Sequence, residues 1–244
     1  MPSYPQLVRI SEAAKILGVT SQTLRNWELS GKLQPRRSTG GQRLYDLADL
    51  EPLKFNFEDL GWAWASSAQA PELPSDYYCE RQDRFMSRLE KMSKVLIGKF
   101  GSQSTNIVSL LTLLAGEIGD NSFAHNLGNW PDVPGIFFAY DVYERYIVLA
   151  DRGRGIRSTL QFIRPTSTDA EALDIAFTEV ISGRSPEKRG NGLKVVRSVA
   201  ETNNEISLLF RSGLGIVEIP KNQSKMRVST TDQNVRGAYA IIKF

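Results

Sequence analysis

The sequence predicts an α+β protein with a small winged helix-turn-helix at its N-terminus and a larger mixed domain behind it. Three observations carry this expectation. Two short capped helices flank Gly18. Longer stretches with helical periodicity follow from about residue 82, and the C-terminal half carries runs of β-prone residues. The bulk numbers agree: 244 residues, 41% hydrophobic and 23% charged, describe an ordinary globular chain with room for two unequal domains. No apolar run approaches the roughly 18 residues of a membrane span, and MPSYPQLVRISEAAK lacks the pattern of a signal peptide. A lone cysteine, Cys79, and a lone histidine, His125, leave no Cys/His zinc cluster and no internal disulfide. The expected setting is cytoplasmic, without a membrane partner.

In chain order, Ser11 reads as the N-cap of a first helix, EAAKILG, that stops at Gly18. Thr20 caps a second helix, SQTLRNWELS, ended by Gly31, with Val19 and Leu24 packing back on Ile16 and Leu17. Near its start the second helix offers Gln22, Thr23, Arg25 and Asn26, where a recognition helix meets base edges or phosphates. After Pro35, RRSTGGQRLY places a two-glycine turn between β-prone flanks, as a wing would, and Asp46 can cap a third helix, LADLEPLKF. Residues 1–50 hold seven basic and four acidic groups, so they carry the whole net charge of +3. A basic head on a neutral body is the footprint of a phosphate-backbone binder.

The segment ISEAAKILGVTSQTLRNWELSGKLQPRRSTGGQRLYDLADL resembles the MerR/excisionase winged-helix class and the heads of some transposon-borne serine recombinases. The resemblance implies that Arg25 and the wing residues Arg36, Arg37 and Arg43 contact double-stranded DNA, with Trp27 and Tyr45 as framework aromatics. Arg25 could equally pair with Glu28 three residues on, and a winged helix can also serve protein contacts.

From Gly61 to Tyr78 the chain loses helical periodicity and reads as a linker with Pro71 and Pro74, although Trp62 and Trp64 argue that part of it packs. Phe85, Leu89, Met92 and Leu96 then form one apolar helix face, which could lie on its own domain or dimerise the chain. The expected division is 1–60, 61–100 and 101–244.

Residues 103–127 read as a long helix with Ile107, Leu110, Leu111, Leu114 and Ile118 as its apolar positions. Glu117, Asn121 and His125 recur every four residues and share one stripe of it. A carboxylate and an amide one turn apart can orient a water and complete a Mg²⁺ shell that keeps waters of its own. Gly135–Val142 and Arg145–Ala150 read as a hairpin running into ADRGRGI. There a carboxylate at a strand end, Asp151, can accept an amino hydrogen, and Gly153 and Gly155 permit close backbone approach. RSPEKRGNGLKVVRSVAE gives a basic segment and then Gly190 and Gly192 opening a helix, whose amides form an anion site. EISLLF, GIVEIP, KMRVST and GAYAIIKF close a sheet.

Taken in that order, these boxes resemble the GHKL (Bergerat-fold) ATPase superfamily over residues 100–244. The resemblance implies a two-layer α/β sandwich of Bergerat type with ATP and Mg²⁺ as cofactors. By position, Asn121 would bind Mg²⁺ and Asp151 the adenine. Gly153 and Gly155 would line the base pocket, and Gly190, Gly192 and Leu193 would take the phosphate side. Glu117 stands in the place of the general base and His125 in that of a frequent N-box histidine. Lys188 and Arg189 would reach phosphates or stay solvated on a lid. The only histidine lies in the N-box, which excludes autophosphorylation on a separate histidine. The chain has no second glycine-rich cradle, and neither a transducer nor a recombinase domain is expected. Expected, then, is an ATP-binding DNA-binding transcriptional regulator in which nucleotide occupancy or hydrolysis modulates DNA or partner binding. The alternative is a protein Ser/Thr kinase of anti-sigma type acting on a separate, STAS-like partner, and a third reading makes both domains scaffolds. Homodimerisation and ATP hydrolysis stay open.

Overall fold

The computed structural model describes residues 6–53, 56–161, 163–179, 191–223 and 225–244. The chain divides after Asn56 into two compact units.

In the first unit β1 (Leu7–Arg9) runs directly into α1 (Ile10–Ile16), followed by α2 (Ser21–Leu29), β2 (Arg36–Arg37), β3 (Arg43–Asp46) and α3 (Leu47–Leu50). Because β1 leads straight into α1, the N-cap is Arg9, without a side-chain cap, and Ser11 falls inside the first turn. Thr20 does cap α2, its Oγ1 accepting from the Thr23 amide at 3.0 Å. Asp46 caps α3 by accepting from Ala48 N at 3.2 Å. That helix is shorter than LADLEPLKF suggests and passes into a 3-10 turn at Glu51–Leu53. The strands form an antiparallel sheet in the order β1-β3-β2. Ala13, Ala14, Leu17, Leu24, Leu33, Tyr45 and Leu50 make the core, with Ile16 and Val19 against it. Gly18 turns the chain between the helices at φ +66°, a backbone state that costs a Cβ-bearing residue.

The second unit begins with α4 (Phe57–Ser66) and β4 (Tyr78–Cys79), then α5 (Gln82–Phe100), α6 (Thr105–Asn126), β5 (Ile136–Asp141) and β6 (Tyr146–Asp151). Next come α7 (Gly155–Leu160), α8 (Asp169–Thr178), α9 (Gly192–Thr202) and the long strands β7 (Ser207–Ile219) and β8 (Arg227–Lys243). The sheet is antiparallel, in the order β4-β5-β6-β8-β7. Strand alternation sorts its residues. Phe138, Ile147, Leu149, Ala240 and Ile242 face a core with Phe85, Leu89, Leu111 and Ile118 of α5 and α6. Phe137, Tyr146, Val148 and Tyr239 face the other way. There α4 lies close: a Cβ on Gly61 would come within 2.7 Å of Val148, and Trp62 meets Tyr239 edge-on at 5.5 Å.

The segment 61–100 is therefore an integral part of the second unit. Trp62 and Trp64 lie on α4, and the apolar face of α5 is buried in its own domain, with Phe85, Met92 and Leu96 fully enclosed. The four short strands expected after residue 205 merge into two. In β7 the register shifts at Arg211/Gly213 and Gly213/Gly215, where Gly213 at φ +59° leaves space for Asp169 of α8. Cys79, on β4, is fully buried and hydrogen bonded by Arg88 at 3.3 Å.

Candidate functional site

Two sites emerge, one in each unit. In the second, α6 crosses the end of β6 so that the last turns of the helix meet the chain leaving the strand. Asp151 is almost fully enclosed. Its Oδ2 accepts from Ser122 Oγ at 2.7 Å and its Oδ1 from the Gly153 amide at 2.7 Å, and the Ala238 amide adds a third bond. Burial pushes the Asp151 carboxyl above its ordinary value, against these hydrogen bonds, which favour the charged form. Three donors on one carboxylate leave lone-pair capacity for one more donor from the cleft.

Around this carboxylate the backbone is stacked closely. A Cβ on Gly237 would fall 2.0 Å from Asp151 Oδ1, and one on Gly153 would fall 2.2 Å from Asn126 Nδ2. Asn126 ties the last turn of α6 to the loop: its amide donates to Ser122 O at 2.7 Å, and its oxygen accepts from Arg154 N at 2.9 Å. Ser212 does the same from β7, accepting from Ile156 N at 3.0 Å and donating to Gly237 O at 2.7 Å. Over this floor lies a cleft of about 360 Å³, open solvent included, lined among others by Asn121, His125, Asp151, Gly155, Thr159 and Leu193.

At the other end of the cleft α9 begins. A Cβ on Gly192 would come 2.6 Å from Glu117 Oε2 and 3.1 Å from Asn121 Nδ2. With no Cβ at Gly192, the positive dipole end of α9 sits close against the carboxylate and amide of α6. The structure thus brings together Glu117, Asn121, Asp151, Gly155, Gly192 and Leu193, from segments as far apart as 76 residues. Gly153 lies beneath the cleft, against Asn126, rather than along its wall. Lys188, Arg189 and Gly190 lie outside the described residues.

Sequence reasoning missed Ser122, Asn126, Ser212 and Gly237. Gly237 had a signal, since a glycine inside the strand pattern GAYAIIKF marks close backbone approach. Ser212 had none, because its partners depend on the pairing of β7 with β8.

In the first unit the exposed face of α2 carries Gln22, Arg25 and Asn26, with Thr23 half-buried beside them. They are linked: Arg25 donates to Gln22 Oε1 at 3.2 Å and Gln22 to Asn26 Oδ1 at 3.1 Å. Glu28 is held from the wing, by Arg43 Nε at 2.6 Å and by Arg37, while Arg25 bonds within its own helix. The hydrogen bond from Arg43 is the main reason the Glu28 carboxyl lies below its ordinary pKa. Arg36 pairs with Asp46 at 3.1 Å. The side chains of Arg36 and Arg37 are still about half exposed, at 56% and 48%, and a guanidinium has five donors, so an internal partner leaves others for a phosphate. Glu28 thereby joins the wing to α2.

Residues 9–45 match the family described as MerR family regulatory protein. That match spans α1, α2 and the wing, and it supports a DNA-binding N-terminal unit. A comparison with curated proteins finds no match to the chain. Among the described residues no helix is long and apolar enough to cross a membrane.

Proposed function

We propose that the chain is a DNA-binding transcriptional regulator whose second unit binds ATP with Mg²⁺, nucleotide occupancy modulating the affinity for DNA. The observation that carries the reading is the cleft with two distinct ends. At one end a buried carboxylate with three donors, Asp151, has capacity for a single further donor, which an exocyclic amine such as that of adenine would supply. At the other, the glycine-opened helix α9 abuts Glu117 and Asn121, an arrangement suited to phosphates and a divalent cation. Mg²⁺ commonly takes one or two protein ligands and completes its shell with phosphate oxygens and water. Asn121 would hold it, and when bound it would neutralise phosphate charge. Glu117 would orient and deprotonate a water on the phosphate side. On the DNA side the reading is supported by the MerR-type match over residues 9–45 and the exposed basic surface of α2 and the wing.

Isothermal titration of the full chain with ATP and Mg²⁺ tests the reading, alongside duplex-DNA binding with and without nucleotide. Binding to wild type that is lost with Asn121→Ala is the expected result. Absence of ATP binding would remove the nucleotide half of the reading and leave the DNA half standing. If turnover accompanies binding, Glu117→Ala should lower it by about 10²–10⁴ while affinity stays within a few-fold.

A further inference from the structure

Arg152 follows Asp151 immediately, and its side chain goes elsewhere. It is fully buried, an expensive place for a guanidinium unless every donor is engaged. Its Nε donates to Asp132 Oδ2 at 2.7 Å. Nη1 donates to Trp64 O, and Nη2 to Ser67 O at 3.0 Å and Ala68 O at 3.3 Å. The Trp64 ring lies 5.8 Å from the guanidinium carbon. Arg152 thus holds the C-terminal end of α4, whose last carbonyls have no partner within the helix. Arg236, from β8 beside Gly237, donates to the same Ser67 and Ala68 carbonyls, and Arg211 stacks over Trp62 at 4.3 Å.

Two consecutive residues therefore serve opposite faces of the sheet: Asp151 the cleft, Arg152 the end of α4. Gly237 packs against this stretch so closely that a Cβ there would fall 2.7 Å from Asp151 O and 2.5 Å from Gly153 N. A ligand that takes the remaining lone pair of Asp151 fixes this stretch, and with it the root of the Arg152 side chain.

We propose that Arg152 is a positioning residue that transmits occupancy of the Asp151 cleft to α4. Nothing in the nucleotide chemistry requires an arginine at that position; the carbonyls of α4 do. The device acts by stiffening: when the cleft is filled, the end of α4 is held more tightly and opens less often. Because α4 is the first element of the second unit after the chain leaves the DNA-binding unit, it is the covalent route by which occupancy can alter DNA affinity. This inference rests on the cleft binding ATP.

Hydrogen exchange on the full chain, with and without ATP and Mg²⁺, tests it. In wild type the amides over residues 60–68 should exchange at least about five-fold more slowly with nucleotide, within the usual range of a coupling. In Arg152→Met, nucleotide affinity should stay within a few-fold while exchange over 60–68 no longer responds and DNA affinity becomes independent of ATP. If wild type shows slowing in α7 and α9 but none over 60–68, the inference is overturned and the cleft reading stands; this comparison needs no variant to fold. A variant that binds nucleotide and still slows α4 also overturns it. If wild type binds no ATP, the cleft reading itself fails.

Discussion

Asp151 is the residue on which the cleft depends, and its environment makes a substitution informative. In Asp151→Asn the remaining oxygen can still accept from the Gly153 amide, and the new amide can donate to Ser122 Oγ, whose hydroxyl is free to rotate. The variant should therefore fold. What it loses is an acceptor facing the cleft, and a mismatched buried hydrogen bond costs about 1–3 kcal/mol, so calorimetry should show ATP affinity lower by roughly 5- to 150-fold. Stability should respond in the opposite sense. Burial raises the Asp151 pKa above its ordinary value, so the folded state holds this proton more tightly than the unfolded chain does. The contribution of Asp151 to stability is then greatest below about pH 4 and declines as pH rises through the window between the unfolded value and the raised folded one. Urea midpoints measured across that window should carry this downward slope in wild type and lack it in Asp151→Asn.

Elements show how much of this was legible in advance. The stripe Glu117–Asn121–His125, the strand ending at Asp151 and the glycine opening α9 are local patterns, each visible within one helix or turn. Ser212 acts through the register of β7 on β8 and Gly237 through the pairing of β8 with β6; a glycine in the strand pattern hinted at the second, and nothing local at the first. Arg152 was invisible for another reason: an arginine between an aspartate and a glycine reads as a solvated loop charge, and only the fold buries it. Position 61 onward read as a linker because Pro71 and Pro74 break periodicity. Trp62 and Trp64 were the contrary signal, and they lie in α4 against the sheet. On the proposed reading, charge pairing and DNA contact compete at the wing. Each neutralised phosphate contributes about 0.9 to the slope of log affinity against log salt, so Arg36→Ala with Arg37→Ala should flatten that slope by at most about 1.8. A salt titration of duplex binding that leaves slope and strength unchanged would remove the wing from the interface.

At the scale of the whole molecule, the division after Asn56 decides which fragments will fold. A fragment from Phe57 to Phe244 keeps α4 on the sheet, including the bond from Tyr239 Oη to Glu58 O at 3.0 Å, and keeps α5 in the core. It should fold alone and bind ATP within a few-fold of the full chain. Starting at Gly101 instead deletes Phe85, Leu89, Met92 and Leu96, all buried against α6 and the sheet. At about 1.5–3 kcal/mol per fully buried side chain, that loss is roughly 6–12 kcal/mol. It is comparable to the whole stability of a domain, about 5–15 kcal/mol. Circular dichroism and thermal melts of the two fragments should separate a cooperative unfolding transition from none.

The burial of Cys79 gives the protein a clock. It is the chain's only thiol, it is fully enclosed beneath Arg88, and burial pushes its pKa up, so the native state offers almost no thiolate to an electrophile. A disulfide reagent such as DTNB should therefore wait for β4 to leave the sheet, and its rate should report how often that edge opens rather than how reactive the sulfur is. Reaction as fast as that of a free thiol peptide would contradict this. For the same reason, a cysteine introduced on α2 or the wing would be the single site that takes a fluorophore, so the motion of one unit could be followed in solution without first removing a native thiol.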